Sequence, residues 1–203
     1  MKTRLGLEQL DARDMPSITF ANGVLTINGM DDGNDVATVS VIFGEVRATL
    51  TSVGPTGPMG TLVVGQTLSK PITAVQRIVF NGFGGNDTFT NNSSIRCTAL
   101  GGAGHDTLKG GSGRDTLIGG AGVDRLYGRA GGDWLYGQGG LDYLYGEAGS
   151  DWLDGGLDGF ADRLYGGIDP DTFKAEWYYL GFDKVNRDHP MDLEPTDSVI
   201  PVP

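Results

Sequence analysis

Eight aspartates recur along one stretch of the chain at a step of nine residues: Asp106, Asp115, Asp124, Asp133, Asp142, Asp151 and, after an interval of eleven, Asp162 and then Asp171. Two places after each stands a large apolar residue, Leu108, Leu117, Leu126, Leu135, Leu144, Leu153, Leu164 or Phe173. Each unit opens on a glycine, from Gly101 and Gly110 through Gly119, Gly128, Gly137, Gly146 and Gly155 to Gly166. Carboxylates set in glycine-rich backbone offer hard oxygen donors, side-chain and main-chain together. The chemistry open to such a set is the binding of a hard cation.

The step of nine dictates the elements that carry these donors. Each unit divides into a six-residue turn and a three-residue strand. Glycine admits the left-handed angles that a tight turn needs. The middle residue of the strand is always Leu or Phe, so its face is the core and its neighbours face away. Two units complete a flattened coil of eighteen residues, with a strand on each side and a turn at each edge. Coils stack at roughly 4.8 Å. Asp106, Asp124, Asp142 and Asp162 then line one edge, and Asp115, Asp133, Asp151 and Asp171 the other.

Carboxylates stacked roughly 5 Å apart repel by about 1 kcal/mol per neighbour in water, and by a few at an effective dielectric of about 20. Residues 101–174 hold twelve acids against six Lys or Arg, so the turns lack countercharge. Asx turns alone would bond each Asp to its own backbone and would leave that repulsion standing. A divalent cation between successive turns converts it into cross-linking. With oxygen donors, no cysteine and one histidine in the array, the expected cofactor is Ca²⁺, several ions of it. Mg²⁺ holds its waters and demands octahedral geometry.

The unit, Gly-Gly-x-Gly-x-Asp-x-apolar-x, resembles the hemolysin-type calcium-binding repeat of RTX proteins, strongly over 101–174 and weakly over 82–90. The resemblance implies an all-β fold, a right-handed parallel β-roll or β-solenoid of nonapeptide repeats. It also implies a ligand set. One turn gives the carbonyls of its second and fourth positions and its Asp; the next turn on that edge gives the carbonyls of its first and third positions and its Asp. Here that joins Gly102, Gly104 and Asp106 to Gly119, Ala121 and Asp124 on one edge. On the other it joins Gly111, Gly113 and Asp115 to Gly128, Ala130 and Asp133. One coil further on, Gly120, Gly122 and Asp124 meet Gly137, Gly139 and Asp142, and Arg129, Gly131 and Asp133 meet Gly146, Ala148 and Asp151. Three copies depart from the pattern at the second position, with Arg129, Gln138 and Glu147. Asp162 and Asp171 are candidate ligands in altered turns, the first stretched by two residues near Asp154 and Asp158, the second carrying Asp169-Pro170.

Residues 18–100 read as an irregular β region leading into the roll. Strands are expected at 24–27, 36–42, 45–51, 62–64 and 74–80, with a hairpin turn at Gly44-Glu45, a loop over 54–60 and an excursion from the roll over 42–75. Gly33-Asn-Asp35 and Gly82-Phe-Gly-Gly-Asn-Asp87 are worn copies of the unit, which makes Asp35 and Asp87 weak candidate ligands. Residues 1–17 form a charged leader. Its Arg4-Leu-Gly-Leu-Glu8-Gln-Leu-Asp-Ala-Arg13-Asp-Met-Pro16-Ser17 resembles a short leader of large bacterial surface proteins. Residues 175–203 read as a C-terminal cap and tail, because a repeat stack must cover its last apolar layer. Within the tail, Asp197-Ser-Val-Ile200 is similar to the acidic-then-apolar ending of type I secretion substrates, with Pro201 and Pro203 departing from it.

A net charge of −11 argues against a nucleic-acid partner. Cys97 is the one cysteine, so no internal disulfide forms. No apolar run of membrane-spanning length and no secretory h-region is present. Neither His-Glu-x-x-His, Gly-x-Ser-x-Gly nor a phosphate loop occurs, and no enzyme is expected. The expectation is an exported calcium-binding protein, extracellular or at a bacterial cell surface, whose β-roll folds on Ca²⁺. The alternative is an adhesin or carbohydrate-binding module with a cell-surface glycan or protein partner. It would use the exposed columns of Tyr127 and Tyr145 and of Trp134 and Trp152. The same aromatics also suit stacking between coils, with Arg125 and Arg163 flanking Tyr143.

Overall fold

The computed structural model describes residues 16–31, 33–54, 63–180, 183–186, 189–190, 193 and 197–202. Residues 1–15 of the leader, most of the 54–60 loop and much of the tail lie outside them. The regular structure of the described residues is β, apart from one 3-10 turn, Ile72–Ala74. Between residues 77 and 180 successive strands fall alternately into two sheets, as a coil with one strand per side requires. The first sheet runs β1 (Ser17–Ala21), β2 (Val24–Asn28), β6 (Arg77–Gly84), β8 (Cys97–Ala103), β10 (Thr116–Ala121), β12 (Trp134–Gly139), β14 (Trp152–Asp154), β16 (Thr172–Leu180) and β17 (Asp183–Asn186), with β19 (Ser198–Val202) also paired to β16. The second runs β5 (Val63–Pro71), β4 (Glu45–Val53), β3 (Asn34–Ile42), β7 (Thr88–Asn92), β9 (Thr107–Lys109), β11 (Arg125–Ala130), β13 (Tyr143–Ala148), β15 (Arg163–Ile168) and β18 (His189–Pro190). The chain is an all-β parallel solenoid.

Register carries the core from coil to coil. In the first sheet one column joins Ile27, Phe80, Ala99, Leu117, Leu135, Leu153, Phe173 and Val199. In the second, Ala37, Phe89, Leu108, Leu126, Leu144 and Leu164 align. The eight array residues are fully buried. Where the repeat is worn, size is balanced within each column. Phe80 and Phe89 stack across the core with centroids 5.0 Å apart, and Ala99 and Ala37 adjoin them in register. Volume is conserved while the Leu pattern is lost.

The expected excursion over 42–75 is an antiparallel meander. Strand β3 turns at Phe43-Gly44, both in the left-handed region (φ 50 and 78), into β4, and β4 pairs with β5. Strand β5 is longer than the expected 62–64, and the 3-10 turn displaces the start of β6 to Arg77. Strand β1 folds back on β2, and the Gln66 amide donates to Pro16 O and accepts from the Ile18 N–H. Ile18, Phe20, Leu68 and Ile72 pack against the core there. At the other end β19 continues the parallel stack on β16, while β17 pairs antiparallel with β16.

Candidate metal centre

The aspartates stand in two hydrogen-bonded ladders. Along one edge each backbone N–H donates to Oδ1 of the Asp one coil on: Asp35 to Asp87, Asp87 to Asp106 and Asp106 to Asp124, each at 2.7 Å, then Asp124 to Asp142 and Asp142 to Asp162 at 2.8 Å. Along the other the ladder starts from the Cys97 N–H, which donates to Asp115 at 2.6 Å. It passes through Asp133, Asp151 and Asp171 to Asp197. The eight array aspartates are at most 3% exposed. Sequence reasoning missed Asp197 as a rung. Its signal was present, since Asp197-Ser-Val199 repeats the Asp-x-apolar spacing.

The second carboxylate oxygen is the reactive one. Oδ2 of Asp87, Asp106, Asp124, Asp133, Asp142 and Asp151 is buried with no hydrogen-bond partner. It lies against the bare α-carbon of its own unit's first glycine. A Cβ on Gly101 would stand 2.2 Å from Asp106 Oδ2 and 2.6 Å from Gly119 O. Second- and fourth-position carbonyls face the next turn on the same edge: Gly102 O abuts Gly120, and Gly104 O abuts Gly122. In return Ala121 O accepts the Gly104 N–H at 2.8 Å. The gap between turns 101–106 and 119–124 is therefore lined with oxygen from both sides. The arrangement recurs one coil on, where Gly122 O abuts Gly140 and Gly139 O accepts the Gly122 N–H at 2.6 Å. On the other edge Gly131 O abuts Gly149 and Ala148 O accepts the Gly131 N–H at 2.9 Å. Arg129, Gln138 and Glu147 take left-handed angles (φ 77, 78 and 76) at the second position.

Burial makes charge in these ladders costly. Desolvation, reinforced by neighbouring aspartates and partly offset by the backbone N–H donors, pushes Asp87 up to about 8 and Asp133, Asp142 and Asp151 to about 7. Asp124 rises to about 6, and Asp35, Asp106 and Asp115 are raised as well. Such a stack requires protons or a cation. Among the described residues no three His, Cys, Asp or Glu side chains gather as a metal cluster. An ion here must draw on backbone carbonyls beside its two carboxylates, and the turns provide them. Hard oxygen donors with unpartnered carboxylate lone pairs fit Ca²⁺.

Residues 100–135 and 127–159 match the family model for the RTX calcium-binding nonapeptide repeat (4 copies). This stretch is similar to the RTX nonapeptide array. Comparison with curated proteins and with solved structures gave no match. The ladders overrun the RTX match at both ends, from Asp35 and Asp87 before it to Asp162, Asp171 and Asp197 after it.

The altered copies of the array adapt locally. In the stretched seventh unit Asp158 Oδ2 accepts the Gly140 N–H, a role filled elsewhere by a third-position carbonyl, and Asp154, which ends the sixth unit, pairs with Lys174 at 2.7 Å. Asp169 takes the fourth position at φ 81. Turn 110–115 differs most. Gly111 and Gly113 lie outside the left-handed region, and Asp115 Oδ2 accepts the Gly111 N–H at 2.7 Å. His105 joins a ladder of its own, its ring Nδ1 accepting the Val123 N–H at 2.8 Å while its backbone N–H donates to Asn86 Oδ1. Burial pushes the Cys97 thiol well above its usual range, which leaves it unreactive.

The tyrosine column stacks. Tyr145 lies between Tyr127 and Tyr165 with centroids 4.9 and 4.7 Å away. Arg125 and Arg163 lie over Tyr143 at 5.4 and 5.7 Å, Lys109 over Tyr127 at 5.4 Å, and Arg114 over Trp134 at 5.3 Å. Trp152 pairs with Trp134 in register.

Proposed function

We propose that this chain is an exported, non-enzymatic calcium-binding scaffold that completes its fold where calcium is plentiful, outside the cell or at its surface. The observation that carries the reading is the row of buried, unpartnered Asp Oδ2 atoms in gaps lined by carbonyl oxygens. The Asp and carbonyl groups implied by the RTX pattern are the ligands in this reading, from the Asp106–Asp124 gap through the Asp133–Asp151 gap. Asp35, Asp87, Asp162 and Asp171 extend the two edges. Bound Ca²⁺ supplies the positive charge that the turns lack. The chain brings its donors into register through the Leu columns and the N–H to Oδ1 ladders. Ions that bind the folded turns and not the open chain add their binding free energy to folding. Circular dichroism of the full chain tests this: chelator is expected to diminish the β signal and calcium to restore it. A spectrum indifferent to both overturns the reading.

A partner-binding role for Tyr127, Tyr145, Trp134 and Trp152 has less support. The stacking of Tyr127 and Tyr145 and the Arg114 contact of Trp134, beside which Trp152 lies in register, give these columns work inside the fold.

A further inference from the structure

Position two of the unit faces a gap, and three copies place a long side chain there at left-handed angles that glycine adopts more easily. Among them Arg129 is distinctive. Its side chain leaves turn 128–133 and reaches Gly110 of turn 110–115 and, one coil further back, Asn91 and Asn92. There Nη1 donates to Gly110 O at 3.0 Å, to Asn91 O at 3.0 Å and to Asn92 Oδ1 at 3.1 Å. Those oxygens belong to two stacked turns. Gly110 is the first position of the upper one, and Asn91 and Asn92 enter the worn turn beneath it. That lower turn has no aspartate, so its gap lacks the second carboxylate that the regular gaps have.

We propose that the Arg129 guanidinium is a built-in cation that closes the gap between the 91–97 and 110–115 turns, so that this rung of the roll holds together without a metal ion. The inference rests on the calcium reading of the regular gaps. Three further features agree with it. Asp115 has both carboxylate oxygens bonded, Oδ1 to the Cys97 N–H and Oδ2 to the Gly111 N–H, unlike the regular aspartates. The Ser112 N–H donates to Ser93 O at 3.0 Å, so the two turns are also joined by backbone. Within the worn turn, Asn91 and Ser93 bond each other and the Ile95 backbone, which fixes the oxygens that Arg129 meets. A fixed charge delivered by the chain gives the metal-free protein a closed rung next to the calcium-dependent coils.

Hydrogen exchange on the full chain, in chelator and in saturating calcium, tests the proposal. Amides of 92–97 and 110–115 are expected to be protected in chelator, while those of 119–151 become protected only when calcium is added. Arg129→Gln is expected to lose the chelator-state protection at 92–97 and 110–115 by tenfold or more, and Arg129→Lys, which keeps the charge, to lose less. A wild type whose 92–115 amides exchange in chelator as fast as those of 119–151 overturns the proposal, and so does an Arg129→Gln variant with unaltered protection. The wild-type comparison decides the matter even if the variant does not fold. Failure of the calcium reading looks different: the 119–151 amides would not respond to calcium at all.

Discussion

The backbone N–H of Asp106 donates to Oδ1 of Asp124 at 2.7 Å, one full coil away. Asp87, Asp106, Asp124, Asp133, Asp142 and Asp151 each do two separate tasks in this way. Oδ1 fixes the spacing of the edge through a bond between neutral donor and charged acceptor, while Oδ2 stays buried without a partner. The metal-free coil is held in register by the first oxygen and strained by the second, because a buried unsatisfied charged group costs more than a typical hydrogen bond returns.

That division predicts the behaviour of Asp124→Asn. The amide keeps an oxygen for the Asp106 N–H and loses the charge. Asp124 borders two gaps, those towards Asp106 and towards Asp142. Calorimetric titration is expected to count up to two fewer ions than in the wild type, with the metal-free β signal equal or stronger. An unchanged ion count would remove Asp124 from the ligand set.

The first glycine of each unit is predicted to be intolerant of any side chain. A Cβ on Gly119 would stand 2.4 Å from Asp124 Oδ2 and 2.9 Å from Gly137 O, and neither can retreat without breaking the ladder. Gly119→Ala is expected to cost about 1–3 kcal/mol through overpacking and to lower the melting midpoint in calcium by several degrees. Gly65→Ala, with nothing within 4 Å of the new Cβ, is the matched control and should melt near the wild type.

Much of this architecture is legible in the chain, and the reason is local. A unit of nine residues fixes its own turn, its own core residue and its own edge, so reading one copy reads them all. What stays hidden depends on distance. The Phe80–Phe89 stack beside Ala37 and Ala99 balances volume between strands far apart in sequence. Asp197 joins its ladder 26 residues after Asp171, off the period. Arg129 meets Asn91 across 38 residues through a flexible side chain, and no spacing rule encodes that reach.

Protons and calcium should compete for the same oxygens. Burial raises Asp133, Asp142 and Asp151 to about 7, well above an unfolded aspartate. Between those limits the folded, metal-free chain holds protons that the unfolded chain releases. Its stability is therefore greatest at the acid end of that window and is lost as pH rises through about 7. In chelator the β signal is expected to grow as pH falls from about 8 to about 5. The calcium concentration that half-saturates the folded roll should rise over the same interval, because protons occupy the same oxygens. A chelated chain less ordered at the lower pH would contradict the assigned burial cost.

The tyrosine column offers a sharp separation between scaffold and binding face. Tyr145 touches a ring on each side at 4.9 and 4.7 Å, with planes within 5° and 7° of parallel. Each such pair contributes about 0.5–1.5 kcal/mol beyond its area, so Tyr145→Ala should destabilise the calcium-loaded roll by roughly 1–3 kcal/mol in denaturant titration. Tyr145→Phe keeps both stacks and loses only the hydroxyl, and it should unfold close to the wild type. A column built to bind a glycan predicts the reverse ranking of effects: both variants would weaken glycan binding, and Tyr145→Ala would leave stability unchanged. The stacked planes favour the first outcome, since rings already facing protein on both sides have only their edges left to offer a partner.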